Sequence, residues 1–225
     1  FLHQLSTMLP NRFHGKQLWK DSVNSWVLCG ILTHSSFCMQ TFDEFDATKY
    51  KLEYDKLSVM DKWLLSKLNS TVKAVDDNLG NYRIPEAARA LQDFVDDMSN
   101  WYVRRSRERF WAKGMEQDKI NAYMTLYIAL VTICKTAAPM IPFMTEDIYQ
   151  NLVRSIDKDA PESIHLCDFP VVDEAMINPE LEKNMEEVLK IVVLGRAARM
   201  CNIKTDSQIG DMYVKAPFRS TGILR

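Results

Sequence analysis

Ser58-Val-Met-Asp-Lys-Trp-Leu-Leu-Ser-Lys-Leu-Asn-Ser-Thr-Val-Lys-Ala-Val-Asp-Asp-Asn-Leu-Gly80 decides the fold class. Ser58 and Asp61 form a capping-box pattern: the serine oxygen can cap early amides, and the acid favours the positive helix end. Leu64, Leu68, Val72, Val75 and Leu79 recur at steps of three and four, giving one apolar stripe. Gly80 is a natural stop. Outward from this segment the pattern repeats. Pro85 suits the first turn of a second helix, whose stripe is Leu91, Phe94, Val95, Met98, Trp101 and Tyr102 and which ends at Gly114. A third helix runs from about Asp118 to Ala137, with Ile120, Tyr123, Tyr127, Leu130, Val131 and Cys134 on one side. Pro139 and Pro142 break it, and Pro142 opens a fourth through Thr145, Tyr149 and Leu152. The links are short, so neighbours should be antiparallel. The expected fold is all-α, an up-and-down bundle over 45–155.

Flanking segments are less regular. Residues 1–44 mix Ser, Thr, His and aromatics without a sustained period, with a short helix possible near Leu18 to Leu32. Residues 156–205 read as an irregular arm, with a short strand expected at Ile164 to Leu166. A fifth helix then opens at Asn178-Pro179 and carries Leu181, Met185, Val188 and Val192. Residues 206–225 read as a frayed, divergent tail.

Composition narrows the function. The chain has 225 residues, 47% hydrophobic and 26% charged, ordinary for a soluble globular protein. A net charge of −2 does not announce a nucleic-acid binder, so any such site must be a local cluster of base. The odd count of five cysteines, without paired spacing, fits cytosolic free thiols better than disulfides. No stretch reads as long and apolar enough to span a bilayer; the best run, Trp26 to Leu32, is far short of the roughly 20 residues required. Glycine-rich phosphate loops, Gly-x-Ser-x-Gly and His-Glu-x-x-His are absent from the sequence. Cys29, His34 and Cys38 are a weak metal candidate, since structural zinc sites close with four ligands, and no metal is expected. Asp76-Asp77 and Asp96-Asp97 point apart on a helix and read as solvated faces, not carboxylate dyads.

The informative cluster is Asn100-Trp-Tyr-Val-Arg-Arg-Ser-Arg-Glu-Arg-Phe-Trp111, with four arginines in six residues. In α-helical register Arg105 continues the stripe of Met98, Trp101 and Tyr102. Arg104, Arg107 and Trp111 share a different, more exposed face. Guanidinium groups beside an exposed indole suit an RNA backbone and an unstacked base. The competing reading is that cations near a helix C-terminus answer its dipole, with Arg105 paired internally to an acid such as Glu146. Asn100 is either a polar contact or bonded within the bundle.

Asp93-Phe-Val-Asp-Asp-Met-Ser-Asn-Trp-Tyr-Val-Arg-Arg-Ser-Arg-Glu-Arg-Phe-Trp111 resembles the signature helix of the anticodon-binding domain of isoleucyl-tRNA synthetases. Asp61-Lys-Trp-Leu-Leu-Ser-Lys-Leu-Asn69, Thr125-Leu-Tyr127 and Ala138-Pro-Met-Ile-Pro-Phe-Met-Thr-Glu-Asp-Ile-Tyr149 resemble its other bundle helices in order. Ser163-Ile-His-Leu-Cys-Asp-Phe-Pro170 resembles the family's segment after the bundle. Leu194-Gly-Arg-Ala-Ala-Arg199 and Asn202-Ile-Lys-Thr205 resemble its next helix and exit. The match covers about Phe45 to Thr205. Related class I synthetases for valine, leucine and methionine share the bundle, and the Ser-Asn-Trp-Tyr-x-Arg-Arg-Ser-Arg string favours isoleucine. Both ends depart from the family pattern: Ser22 to Phe42 lacks its entering helix, and Asp206-Ser-Gln-Ile stands where Arg-Gln-Pro is usual. The expectation is a fragment, cut from something longer, with ends from frameshifted or misassembled coding sequence.

The resemblance implies a cytoplasmic bundle that docks on the anticodon stem and loop of isoleucine tRNA and works with the rest of the synthetase, its catalytic domain. It assigns phosphate contact to Arg104, Arg107 and Arg109, stacking to Trp111 and a polar contact to Asn100. The intact enzyme uses ATP and Mg to attach isoleucine. This chain carries neither His-Ile-Gly-His nor Lys-Met-Ser-Lys-Ser, so no catalytic residue and no cofactor is expected in it, and alone it should be inactive. A noncatalytic helical protein-interaction module and a relic of a broken gene are the other readings.

Overall fold

The computed structural model describes residues 47–50 and 52–202, with side chains to Arg199. The expected short helix near Leu18 to Leu32, the Cys29, His34 and Cys38 group and the divergent tail at 206–225 lie outside the described residues. Six α-helices are present among those described: α1 Val59–Gly80, α2 Ile84–Asp97, α3 Arg107–Phe110, α4 Gln117–Ala137, α5 Pro142–Tyr149 and α6 Pro179–Asn202. No strand occurs among the described residues.

The start of α1 is as its sequence dictates. The Asp61 amide donates to Ser58 Oγ at 3.2 Å, and the Ser58 amide donates to Asp61 Oδ2 at 3.2 Å. α1 packs on both α2 and α4, and α4 on α5. α1 therefore buries Trp63, Leu64, Leu65, Leu68, Val72 and Val75 in a core shared with Phe94, Met98, Tyr102 and Leu126. Each buried aliphatic side chain of this kind contributes roughly 1.5–3 kcal/mol of transfer free energy. The turn after α1 places Tyr82 at φ 58, and Gly114 takes φ 85 in the link before α4. α4 is by length and composition apolar enough to cross a membrane, contrary to the sequence expectation. Most of it is buried within the bundle, as the core helix of a packed domain requires.

The second helix is not the continuous α-helix that its stripe predicts. After Asp97 it widens into a π-helical turn, Met98–Val103, in which the Arg104 amide reaches back five residues to the Ser99 carbonyl. α-Helical bonding resumes from Ser106 to Tyr102 and from Phe110 to Ser106. A second π turn, Gln150–Arg154, extends α5.

The first compact unit runs to Asn178 and includes the arm. The expected strand at Ile164 to Leu166 is instead a 3-10 turn. Ser163 Oγ accepts the His165 amide at 3.2 Å, and the Ile164 amide donates to Glu146 at 3.0 Å, so the backbone groups a strand would pair are taken locally. Further along, the Asp173 amide donates to Asn69 Oδ1 and the Asn178 amide to Ser66 Oγ, both on α1. Lys73 reaches Glu174 at 2.9 Å. The second unit begins at Pro179 and contains α6. Of its expected stripe, Leu181, Met185 and Val192 are half-buried and Val188 is exposed.

Candidate nucleic-acid interface

The π turn determines which arginines face out. Phe94, Met98, Tyr102, Ser106 and Phe110 are all buried, at successive steps of four. In an unbroken α-helix such a run drifts off a face, because four residues exceed a 3.6-residue turn. The wider π turn absorbs the excess. The inward line thus passes through Ser106, and Arg105 emerges into solvent.

Arg104 and Arg107 are exposed, and neither has an ion-pair partner among the described residues. Asn100 is also exposed, and Trp111 is 85% exposed. These four sit on the segment where the sequence places them. Arg109 does not join them. Its side chain, 19% exposed, turns inward to Asp61: Nη1 to Oδ1 at 2.9 Å and Nη2 to Oδ2 at 2.8 Å. Nε also donates to Asp118 Oδ2 at 2.7 Å. Of the three arginines expected at phosphate, Arg104 and Arg107 are exposed and Arg109 is not.

The expected structural pair Arg105 and Glu146 is likewise not formed among the described residues. Arg105 lies over the Trp101 ring, 5.1 Å from its centroid. Glu146 serves the arm: it accepts Gln150 Nε2 at 2.7 Å, Ser163 Oγ at 2.8 Å and the Ile164 amide. Burial works against its charge, but these donors hold the Glu146 carboxyl below the usual range. The buried ion pair belongs to Arg109 and Asp61, 48 residues apart in the chain.

Asp61 has no exposed surface and accepts five hydrogen bonds, including Tyr102 Oη at 2.6 Å and Ser58 Oγ at 2.8 Å. Burial alone would raise the Asp61 carboxyl; the Arg109 and Tyr102 bonds outweigh it and hold the group ionised below the ordinary carboxylate range. Burial, then the neighbouring Asp61 charge, push the Tyr102 phenol well up, so it stays a proton donor. The sequence alone marks Asp61 only as a cap.

α4 completes the support. Its Lys119 donates to the Ala112 carbonyl at 3.0 Å, and its Tyr123 hydroxyl to the Phe110 carbonyl at 3.2 Å. The Phe110 ring stacks on Tyr123 at 5.5 Å and meets Tyr102 edge-on at 6.5 Å. The residues on either side of Trp111 are thus tied to the core while the indole stays in solvent. Such an arrangement offers exposed cations and a flat apolar face on a backbone tied to the core, with no cluster of metal-ligating side chains among the described residues.

The family described as the anticodon-binding domain of tRNA ligase matches residues 61–210. Among curated relatives, an isoleucine–tRNA ligase from Clostridium tetani is 53% identical over 173 residues, covering 76% of this chain and 17% of the relative. One from Clostridium kluyveri is 44% identical over 216 residues, covering 95% and 21%. One from Methanocella arvoryzae is 38% identical over 194 residues, covering 80% and 18%. The chain spans about a fifth of the length of these relatives. The Clostridium kluyveri alignment extends beyond Phe45 to Thr205, into segments where the sequence reading finds divergence. With two thirds of its length matched by that family, on a helical bundle of the expected order, the chain belongs to the anticodon-binding domains of tRNA ligases.

Proposed function

We propose that this chain is the part of an isoleucine–tRNA ligase that grips the anticodon stem and loop of isoleucine tRNA. The observation that carries the proposal is the exposure of Arg104, Arg107 and Trp111 on a segment whose neighbours are pinned to the core. The two arginines clamp backbone phosphates and set orientation, Trp111 stacks on an unpaired base, and Asn100 adds a polar contact. Binding here positions the distant acceptor end for the catalytic domain of the intact enzyme, which is the chain's protein partner. ATP and Mg act in that domain; this chain binds RNA without them and does not attach the amino acid alone. Its setting is cytoplasmic. The names of the relatives favour isoleucine over valine, leucine or methionine.

The test is binding of labelled isoleucine tRNA to the purified chain at low and moderate salt, with an altered-anticodon tRNA as competitor. Binding that falls with salt and prefers the native anticodon is expected. A folded chain that binds neither RNA would refute the proposal.

A further inference from the structure

Arg105, like Arg109, lies where the sequence reading does not put it, and its actual surroundings suit a ligand. It is exposed, and among the described residues it forms no ion pair; Glu108, three residues on, does not engage it. What holds it is the Trp101 indole beneath its guanidinium. Trp101 is itself half-buried in the π turn, so the platform is anchored in the bundle. A guanidinium held over a ring by its charge retains N–H donors for other partners. Arg is suited to this because its planar fork matches two phosphate oxygens and loses less freedom per hydrogen bond formed.

We infer that Arg105, held over the Trp101 ring, is a third phosphate contact of the RNA-binding face, set in place before the RNA arrives. The inference rests on the reading of that face as an anticodon-arm surface. With Arg104 and Arg107 it makes three exposed cations within four residues. The π turn is what permits this, because an unbroken α-helix would carry Arg105 onto the buried stripe.

Salt titrations of isoleucine tRNA binding separate the possibilities. Wild type, Arg105→Ala, Trp101→Leu and an Arg104→Ala, Arg107→Ala double variant are compared, with circular dichroism melting to confirm folding. Loss of one phosphate contact lowers the slope of log K against log salt by roughly 0.7–0.9. Arg105→Ala should show that change. Trp101→Leu keeps the charge but loses the platform, and should weaken binding severalfold with less change in slope. An Arg105→Ala slope equal to wild type, beside a reduced slope in the double variant, would overturn the inference and leave the RNA-binding reading standing. Unchanged affinity in folded Trp101→Leu would overturn the pre-setting. A wild type that binds no tRNA removes both.

Discussion

Replacing Arg109 with alanine separates support from contact on this segment. Asp61 is wholly buried and Arg109 is its only cationic partner among the described residues. The substitution leaves the Tyr102 and Ser58 bonds but removes the counter-charge, so a carboxylate stays in the interior unpaired. Breaking a buried pair in this way costs about 3–5 kcal/mol. Water reaches part of the Arg109 side chain, which places the expected loss near the lower end, about 3 kcal/mol. The second partner, Asp118, is 60% exposed and adds little. For a chain of this size 1 kcal/mol moves the melting temperature by about 2–4 °C, so Arg109→Ala should melt roughly 6–12 °C lower. Urea unfolding and thermal melting by circular dichroism measure it. Asp61→Asn combined with Arg109→Met should be less destabilised than the sum of its single variants, because removing both partners leaves no orphaned charge. Under conditions where Arg109→Ala remains folded, its salt slope for tRNA should match wild type. A stability loss below about 1 kcal/mol, or a slope reduced as far as in Arg104→Ala, would refute the assignment of Arg109 to the interior.

Three other outcomes are expected. Trp111→Ala should leave the melting temperature near wild type and weaken tRNA binding by roughly 5- to 150-fold, equivalent to the about 1–3 kcal/mol of one stacked base; filter binding with a melting control reads both. Asp61 and Glu146 have folded pKa values below their unfolded ones, so their stabilisation is present above about pH 4 and is lost as pH falls through the folded values. Asp96 and Asp97 are raised, chiefly by burial, so they oppose folding at neutral pH and relax as pH falls. Unfolding free energy measured against pH should therefore drop steeply only below about 4, and Asp61→Asn should flatten that drop. Glu146→Gln weakens the hold on the arm, and the Ile164 amide should exchange roughly five- to tenfold faster while amides in α1 keep their protection.

How far the sequence discloses this molecule depends on whether the deciding partners are neighbours in the chain. Helix starts at Ser58 and Pro142 are legible because a cap and a first-turn proline act within one turn. The α4 stripe is legible in part for the same reason: of the residues its period marks, Ile120, Tyr123, Leu130 and Cys134 are buried, while Tyr127 and Val131 are half-buried. The Ile164 turn is not, because the acid that takes its amide lies 18 residues back. Nor is the π turn: between Pro85 and Gly114 no proline or glycine marks a break. That one unmarked turn moves Arg105 off the buried stripe, and the inward arginine is Arg109, four positions on. Reading α-helical steps through it puts Arg105 on the buried stripe and in an internal pair, while the family resemblance alone assigns Arg109 to the RNA. In the folded chain it is Arg109 that reaches Asp61, while Arg105 stays outside on Trp101. The signature string is therefore two interleaved sets of residues. Tyr102, Ser106, Arg109 and Phe110 bind the segment to α1 and α4, while Asn100, Arg104, Arg105, Arg107 and Trp111 are left outside. An RNA-binding face on a helix end needs both, because cations on a frayed terminus would lose in ordering what they gain in contact.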